Sequence, residues 1–258
     1  MLYDLLRDYR EYLLKSLRPE TAGTYYKRLA TLLVGQSVGN TVARLEVGKV
    51  LDKLGEIKYK NYFSQSKNAF LHFCEWQGIK LSADTLACIA ELEKATKKKY
   101  RKLKPVDFAS IEGKIKRLKN MKLKLSFQTI IATGLRVSEL AVLTLDNCTL
   151  SADSIKFSFI GKGGKAGTAG IERVEHPLLF ERLHNLITST APCPAKIFYS
   201  SDYLESKARV LGFTCHDLRR AFAKIEYKKC KNKAEVSEKL RHTNKRTTNI
   251  YLRSKVKI

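Results

Sequence analysis

The sequence is poor in acidic residues. Asp and Glu together number 25 against 49 Lys and Arg, and the net charge of the 258-residue chain is +24 at pH 7. A surplus of this size attracts polyanions, among which nucleic acid is the commonest. The composition also permits a second interpretation, a solvated lysine-rich surface that binds no polyanion. Only the motifs can decide between the two.

Paired cysteines, a secretory signal and long apolar runs are missing as well. The six cysteines are scattered and form no C-x-x-C pair, which argues against a zinc knuckle or a redox motif. Nothing near the N-terminus has the pattern of a signal peptide. No apolar run approaches the roughly 20 residues that a helix needs to cross a bilayer. We therefore expect reduced thiols in a cytoplasmic protein without a membrane partner.

A nucleotide-binding P-loop is absent too. In the glycine-rich stretch 161–170, each Gly-Lys pair is followed by glycine or alanine, so no G-x-x-x-x-G-K-[ST] sequence exists. We expect this stretch to be a flexible loop that delivers a lysine as a proton donor, because a mobile loop can close on a bound substrate.

What the sequence has is helical periodicity. Hydrophobic residues make up 44% of the chain, enough for sizeable cores. Apolar spacing predicts helices at 3–17, 19–33, 42–54 and 59–77. The aromatic residues of the last one are expected to be core rather than a base-stacking platform; they are Phe63, Phe70, Phe73 and Trp76. Residues 1–93 are therefore predicted to form a small helical domain.

A basic segment, 94–104, is predicted to be the linker between two domains. Like charges keep such a segment extended, and Pro105 disfavours helix just before it. Two interpretations stay open: a solvated linker, or a strap that lies across phosphates and releases counterions. The expected DNA contacts in this half of the chain are Lys97, Lys98, Lys99 and Arg101, together with Lys27 and Arg28 of the second helix.

Residues 105–258 are predicted to form a second, mostly helical domain. The expected helices span 107–118, 123–133, 137–143, 178–189, 216–229, 233–240 and 247–253. Alternating apolar residues predict strands at 155–160 and 172–175. The glycine-rich stretch between these strands is expected to be a long, mobile hairpin tip.

Several side chains of this region have the chemistry to act together on a phosphodiester. His216 and Arg219 are three residues apart and share a helix face. An arginine binds phosphate oxygens bidentately and keeps its charge at any working pH. The phenol of Tyr251 is mostly protonated at neutral pH, so it needs nearby cations and a base to act as a nucleophile. Each of these residues alone is more often structural than catalytic.

Their order along the chain resembles that of the tyrosine recombinase family, which includes phage integrases and Xer-type recombinases. The stretch 133–140 (TGLRVSEL) is similar to the family's T-G-x-R-x-x-E-L box, and 216–220 (HDLRR) to its H-x-L-R box. Leu240-Arg241-His242, followed by 247–251 (TTNIY), resembles the L-G-H and T-x-x-Y boxes. The N-terminal helices resemble the core-binding domain more loosely. The resemblance implies a mainly α fold, with a SAM-like helical domain and a helical catalytic domain that carries a small antiparallel β-hairpin.

The resemblance implies a role for each matching residue. Tyr251 attacks the scissile phosphate and forms a 3′-phosphotyrosyl link. Arg136 and Arg219 hold the non-bridging oxygens and stabilise the transition state. Lys162 protonates the leaving 5′ oxygen. The remaining roles concern support: His216 helps to accept the tyrosine proton, His242 hydrogen-bonds the phosphate, and Glu139 orients Arg136. Neither a metal nor ATP is expected, because fixed cations stabilise the charge and the covalent link conserves the bond energy.

Three departures from the family pattern bear on these expectations. Arg241 stands where the family has glycine, which either tightens contact with DNA or perturbs the turn. The hairpin loop is expected to be longer than the compact G-K-x-x-K-x-R form, so Lys162 or Lys165 could be the acid; we favour Lys162, because it directly follows the strand. Only 252–258 follow the tyrosine, so contact between protomers through a C-terminal tail is expected to be minimal. Lys165, Arg220 and Arg241 are expected to contact DNA.

The expected activity is site-specific cutting and rejoining of DNA by a homotetramer on two sites of double-stranded DNA, with phosphate contacts for affinity and a few base contacts for site choice. The protein is expected to act at the nucleoid. Two alternatives remain: a monomeric type IB topoisomerase, which has the same chemistry but little site choice, and a DNA-binding accessory factor that has lost activity.

Overall fold

The structure, a computed structural model, describes residues 2–35, 46–97, 105–161, 164–190, 196–242, 244–254 and 256–257. The chain divides into two compact units, Met1–Lys102 and Leu103–Ile258. The buried apolar residues of the first unit form one cluster, and those of the second unit form two. Each unit therefore has an apolar core of its own.

The first unit is built from helices. They are α1 (Leu2–Ser16), α2 (Pro19–Leu33), α3 (Val47–Gly55), α4 (Lys60–Trp76) and α5 (Ala83–Ala95). Pro19 begins α2, where its missing N–H breaks no intrahelical hydrogen bond. Phe63, Phe70 and Phe73 of α4 are fully buried, and Phe73 packs edge-on against Tyr9 with ring centroids 5.3 Å apart. The prediction that these aromatic side chains are core is confirmed.

The segment predicted to be an extended linker begins inside a helix. Lys94 belongs to α5, and its Nζ lies 2.6 Å from Oε1 of Glu91. The backbone N–H of Lys97 donates to the carbonyl of Lys58 at 3.0 Å, so Lys97 is attached to the first unit. The prediction of an extended segment is therefore wrong for Lys94 and Ala95, whereas Thr96 has an extended backbone. Residues 98–104 lie outside the described residues. The apolar pattern did not predict α5, because Ile89 is its one fully buried side chain.

The second unit is mostly helical with two small sheets. Its helices are α6 (Phe108–Lys116), α7 (Met121–Thr133), α8 (Val137–Leu140), α9 (Pro177–Thr188), α10 (Ser201–Val210), α11 (Cys215–Cys230), α12 (Lys233–Lys239) and α13 (Lys245–Arg253). Its strands are β1 (Val106–Asp107), β2 (Cys148–Leu150), β3 (Ser154–Ile160), β4 (Ala166–Glu172) and β5 (Val256–Lys257). The predicted fold class, mainly helical with a small antiparallel sheet, is confirmed. The sequence did not predict α10 or the strands β1, β2 and β5.

The β3–β4 hairpin is tighter than the sequence predicted. The sheet has the order β2-β3-β4, both pairs are antiparallel, and Ile160 pairs with Ala166. The second strand is therefore 166–172 rather than 172–175, and the loop spans only 161–165. The backbone N–H of Gly161 donates to the carbonyl of Lys165 at 2.7 Å and closes this loop. The prediction of a long tip is wrong, and the loop has the length of the compact G-K-x-x-K form.

The core of the second unit supports the elements that carry the predicted site. Ile155, Phe157 and Phe159 alternate along β3 and point into the core, as a strand with one buried face requires. A separate cluster joins α11, α12 and α13 through buried Phe222, Val236, Leu240 and Tyr251, among others. The helix that carries Tyr251 is therefore held by apolar packing within its own chain.

In the part of the chain that the structure describes, none of the helices has the length and apolar character needed to cross a membrane.

Candidate active site

The start of α11 brings the first pair of predicted residues into the site. The hydroxyl of Thr214 caps the helix by accepting from the backbone N–H of Asp217 at 3.2 Å, and the Asp217 carboxylate accepts from the Thr214 N–H at 2.8 Å. This reciprocal cap fixes the first turn of the helix. His216 consequently faces outward, whereas Arg219 points into the protein.

Arg219 is anchored by two backbone carbonyls from distant parts of the chain. Its Nη1 donates to the carbonyl of Gly134, and its Nη2 donates to the carbonyl of Leu240. The residue is only 1% exposed. Burial lowers the pKa of Arg219 to about 10, with the positive charge of Arg136 acting in the same direction. Arg219 thus keeps its charge at neutral pH and ties α11 to the turn after α7 and to the end of α12.

The turn between α7 and α8 places Arg136. Gly134 ends α7 in the left-handed conformation, with φ of +63°. Arg136 is the N-cap of α8, and its backbone N–H donates to Oε2 of Glu139 at 2.8 Å. Its Nη1 donates to Oε1 of the same carboxylate at 2.5 Å. The side chain of Arg136 is 25% exposed, so this guanidinium can be reached from solvent.

Glu139 is the buried carboxylate on which three guanidinium groups converge. Nη1 of Arg136 lies 2.5 Å from it, Nη2 of Arg241 3.6 Å and Nη1 of Arg219 4.0 Å. Burial alone would raise the pKa of Glu139, but the hydrogen bonds from Arg136 and the charges of Arg136 and Arg241 outweigh it and lower the pKa. One carboxylate against three guanidiniums leaves the cluster positive, which suits an anion such as a phosphate.

Tyr251 lies between the two predicted histidines. Its ring centroid is 5.0 Å from that of His242 and 6.2 Å from that of His216, both in edge-to-face orientation. Tyr251 is 7% exposed. Burial lowers the pKa of Arg219 and Arg220, and the electrostatic interaction of both with Tyr251 offsets part of that lowering. The structure therefore brings Tyr251, His216, His242 and Arg219 together, and Glu139 joins Arg136 to them.

Both histidines are held in the neutral form. Burial, and then the charges of Arg219, Arg136 and Arg241, lower the pKa of His242 to about 4. His216 is exposed as a whole residue, but its imidazole packs beside Tyr251. Partial desolvation of the ring, and then the charges of Arg219 and Arg220, lower the pKa of His216. A neutral imidazole can accept a proton at one nitrogen and donate a hydrogen bond from the other.

Two arginines that were predicted to contact DNA have hydrogen-bond partners within the protein. Arg220 is 7% exposed, and its Nη2 donates to Oδ1 of Asp217. The side chain of Arg241 is 20% exposed, and its guanidinium donates to the carbonyls of Lys239, Thr168 and Gly134. These guanidiniums are therefore engaged within the protein, and their contact with DNA stays a prediction.

The remaining predicted residues divide into described and undescribed ones. Lys27, Lys97 and Lys165 are exposed, and Arg28 stacks over the ring of Tyr62 at 3.6 Å while donating to Gln65. Four predicted residues lie outside the described residues: Lys98, Lys99, Arg101 and Lys162. The strand ends on either side of Lys162 are described, and Gly161 lies beside Glu139, because a Cβ on it would be 3.5 Å from Oε1.

Sequence reasoning assigned no role to Thr248 or Asp217. Oγ1 of Thr248, which is 1% exposed, lies 2.8 Å from Nδ1 of His242, within hydrogen-bond distance. This bond orients the imidazole toward Tyr251. Asp217 caps α11 and pairs with Arg220. The Thr214-x-x-Asp217 spacing could have revealed the cap from sequence, whereas no local pattern points from Thr248 to His242.

The second unit matches a known family. The model described as the phage integrase family matches residues 107–257, which is more than half of the chain. Among curated proteins, no sequence matches.

Solved structures similar to the chain share its fold at low sequence identity. One is a lambda integrase (residues 75–356) dimer bound to a COC′ core site. It is 17% identical to this chain, the alignment covers 97% of this chain and 94% of that chain, and the TM-score is 0.65. Another is the XerH site-specific recombinase bound to difH substrate in a pre-cleavage complex. It is 15% identical to this chain, the alignment covers 90% of this chain and 74% of that chain, and the TM-score is 0.59. A third is a lambda integrase tetramer bound to a Holliday junction. It is 14% identical to this chain, the alignment covers 97% of this chain and 76% of that chain, and the TM-score is 0.64.

Proposed function

The chain belongs to the phage integrase family, and from this membership we propose that it is a site-specific recombinase that cuts and rejoins double-stranded DNA through a 3′-phosphotyrosyl intermediate. The family match covers the unit that contains the candidate active site. The similar structures of XerH and lambda integrase are complexes with DNA, which supports DNA as the partner. The net charge of +24 is consistent with a polyanionic substrate.

The observation that carries the proposal is the placement of Tyr251. Its ring centroid lies within 6.2 Å of those of both imidazoles, and its phenol interacts electrostatically with Arg219. Glu139 joins Arg219 to Arg136. Residues separated by more than one hundred positions thus supply a nucleophile, bases and fixed cations to one place. Structural packing alone requires no such combination of phenol, imidazoles and guanidiniums.

The proposed reaction is a transesterification at phosphorus. The oxygen of Tyr251 forms a bond to the scissile phosphorus, the bond from phosphorus to the 5′ oxygen breaks, and the phenolic proton passes to a neutral imidazole. We assign this base role to His216 and the hydrogen bond to the phosphate to His242. Arg136 and Arg219 stabilise the charge of the pentacoordinate transition state. The leaving oxygen takes a proton from Lys162, with Lys165 as the alternative donor, and rejoining is the same step in reverse.

The buried state of Arg219 and Tyr251 has a consequence for this reaction. Arg219 is 1% exposed in the free protein, so a phosphate can reach its guanidinium only after the surrounding groups move. Arg136, at 25% exposure, is the first arginine that a phosphate would meet. We therefore propose that DNA binding opens the cluster before cleavage, which is consistent with catalytic hydrogen bonds that tighten only in the complex.

We further propose that the two units act as separate DNA-binding domains, with 1–93 as the core-binding domain, 94–104 as a linker along the backbone and 105–258 as the catalytic domain. The lambda integrase tetramer on a Holliday junction supports a homotetramer on two sites, because each protomer cuts one strand. Such a protein would act at the nucleoid.

The test is trapping of the covalent intermediate. Duplexes selected from a random pool by binding give the site, and a nicked version of the selected duplex allows the cut fragment to diffuse away. We expect a protein–DNA adduct with the wild type and none with Tyr251→Phe, whereas both bind the duplex equally. An adduct with Tyr251→Phe would show that the nucleophile is a different residue.

The same assay separates the alternatives. A monomer that relaxes any supercoiled plasmid, without the selected site, would indicate a topoisomerase. A protein that binds the selected duplex but forms no adduct, even with the nicked substrate, would indicate an accessory factor. Tyr227→Phe is the matched control, because this tyrosine lies on α11 and is only partly buried; we expect it to retain the adduct.

A further inference from the structure

Arg241 occupies a place where the backbone favours glycine. Its φ is +52°, in the left-handed region, where a side chain costs about 1 kcal/mol or more. Its Nε is buried without a hydrogen-bond partner among the described residues, a further penalty. A glycine would avoid both. The contacts of the guanidinium must therefore offset these penalties.

Those contacts join three separate parts of the second unit. Nη1 donates to the carbonyl of Lys239 at 2.9 Å and to that of Thr168 in β4 at 3.3 Å. Nη2 donates to the carbonyl of Gly134 at 3.3 Å and lies 3.6 Å from Oε2 of Glu139. One guanidinium thus connects the end of α12, strand β4 and the turn that places Arg136.

The hairpin is shaped to receive this side chain. The guanidinium lies over the ring of Phe159 in β3, 5.1 Å from its centroid. A Cβ on Gly167 would lie 2.9 Å from Cε2 of Phe159 and 3.3 Å from Cδ of Arg241. Only glycine at 167 leaves room for both side chains. Relative to the patterns described above, arginine and glycine have exchanged places: G-K-x-x-K-x-R has arginine at 167, and L-G-H has glycine at 241.

We propose that Arg241 is a positioning residue that latches the β3–β4 hairpin to the Gly134 turn and so fixes the base of the loop that supplies the proton donor of the proposed reaction. This inference rests on the proposed function. The loop 161–165 begins at Gly161, beside Glu139, so the hairpin base and the arginine cluster share one contact network. The latch acts on the proton donor rather than on the nucleophile.

The chemistry of the leaving group offers a selective test. With an ordinary substrate, the bond between the Tyr251 oxygen and phosphorus forms, the bond to the 5′ oxygen breaks, and that oxygen needs a proton from the hairpin lysine. With a 5′-bridging phosphorothiolate the leaving group is a thiolate, which departs without a proton. A defect in acid positioning therefore disappears with the sulfur substrate, whereas a defect in phosphate binding remains.

The experiment compares Arg241→Gly with the wild type on nicked duplexes that carry oxygen or sulfur at the scissile 5′ position. We expect adduct formation to slow about 10- to 100-fold on the oxygen substrate, with recovery to within about threefold of the wild-type rate on the sulfur substrate. Duplex affinity should change less than about threefold, because the guanidinium of Arg241 is occupied by three backbone carbonyls rather than free for a phosphate. An equal defect on both substrates, or weaker DNA binding with a normal rate at saturating duplex, would overturn the proposal.

A second readout does not depend on DNA. Without the latch, backbone amides of 166–171 should exchange with solvent about tenfold faster or more. Unchanged exchange in Arg241→Gly would refute the latch even if catalysis were affected. If the wild type forms no adduct on either substrate, the proposed function fails, and the exchange result still decides whether Arg241 restrains the hairpin.

Two further variants tie the effect to the Arg241–Gly167 contact. Gly167→Ala should reproduce the oxygen-specific defect, because the added methyl group displaces Phe159 or Arg241. The double variant should be no slower than Arg241→Gly alone, since Phe159 can then move into the space that Arg241 leaves; additive defects would contradict the contact. Arg173→Gln is the matched control, because this exposed arginine follows β4 and pairs with Glu181 at the surface. We expect it to resemble the wild type on both substrates.

Discussion

Glu139 illustrates how a single residue makes the site possible. Three guanidinium groups lie within 4.0 Å of the Glu139 carboxylate. Without this carboxylate their positive charges would repel each other strongly, because the site is poorly solvated. The carboxylate offsets that repulsion and still leaves the group positive. Its position, three residues after Arg136, allows the same side chain to bind the backbone N–H and the guanidinium of Arg136.

His242 provides a prediction about pH. Its pKa of about 4 in the folded protein lies below the roughly 6.5 of an unfolded chain. As the pH falls below about 6.5, the unfolded state takes up the proton first, so stability decreases until about pH 4. We expect His242→Asn to lose less stability over this range than the wild type, by up to about 1.4 kcal/mol per pH unit. Urea unfolding at pH 7, 6 and 5 measures this difference.

Thr248→Val is the control for that prediction. It removes the hydroxyl that lies 2.8 Å from Nδ1 of His242, with a loss of about 1 kcal/mol at pH 7, yet it keeps the imidazole. Its stability should therefore keep the steep dependence on pH. Parallel pH profiles for the wild type and His242→Asn would show that His242 does not titrate abnormally.

At this scale the sequence identified the residues but not their surroundings. The motifs named Arg136, Glu139, His216, Arg219, His242 and Tyr251, and the structure places them together. The motifs could not show that Arg220 pairs with Asp217 or that Arg241 donates to backbone carbonyls. A basic side chain next to a motif looks like a DNA contact in sequence, because its partner, a carbonyl or carboxylate brought near by folding, is invisible there.

At the scale of elements, the hairpin shows why a strand was misplaced. β4 reads AGTAGIE, and glycine and alanine are poor strand formers, so the pattern indicates a loop. Pairing with β3 overrides that preference, because every residue of β4 has a partner from Ser154 to Ile160. Gly167 instead makes room for the side chains of Phe159 and Arg241, a requirement that only the tertiary structure reveals.

The turn after α7 allows a sharper prediction about packing. Gly134→Ala combines two penalties: φ of +63°, and a Cβ that would lie 2.4 Å from Cδ1 of Phe222. We expect a loss of about 2 to 4 kcal/mol in the free energy of unfolding. Because the carbonyl of Gly134 accepts from Arg219 and Arg241, adduct formation should slow as well. Urea unfolding and the nicked-substrate assay provide the two measurements.

Gly212→Ala is the control that separates the penalty of backbone strain from the penalty of the clash with Phe222. Gly212 has φ of +83°, but its Cβ would meet only the flexible end of Lys114, 3.4 Å away. The expected loss is about 1 kcal/mol, from backbone strain alone. Adding Phe222→Leu to Gly134→Ala should recover part of the larger loss. Equal losses in the two alanine variants would mean that Phe222 yields easily and that packing is not the cause.

At the scale of the whole molecule, the apolar cores decide how the chain can be divided. All members of the first core lie before residue 93, and the other two clusters lie beyond residue 107. Composition anticipated this division, because the basic stretch separates two runs of apolar periodicity. The division between the two units, after Lys102, falls within the predicted linker 94–104. The start of that linker lies inside α5, however, since charge marks where a surface is polar and not where a helix ends.

Separate cores predict that the catalytic unit folds without the first one. A fragment of residues 105–258 keeps β1, which pairs in parallel with β5 from Val106 to Val256 and so joins the beginning of the unit to its end. We expect this fragment to unfold cooperatively and to form the phosphotyrosyl adduct, because every candidate catalytic residue lies within it. Its affinity for the selected duplex should fall about tenfold or more, with a weaker dependence on salt, since the basic residues of the first unit are gone.

A shorter fragment, 108–258, tests whether the pairing of β1 with β5 matters. It lacks both residues of β1 and the N-cap of α6, since Oδ1 of Asp107 accepts from the N–H of Ser110 at 3.3 Å. We expect it to be less stable than the longer fragment by about 1 kcal/mol or more, with a similar adduct rate at low temperature, where both fragments are folded. Thermal unfolding and the nicked-substrate assay on the two fragments test whether the pairing of β1 with β5 stabilises the unit.

If 105–258 shows no cooperative transition, the first unit is required for folding, and the two cores are not independent.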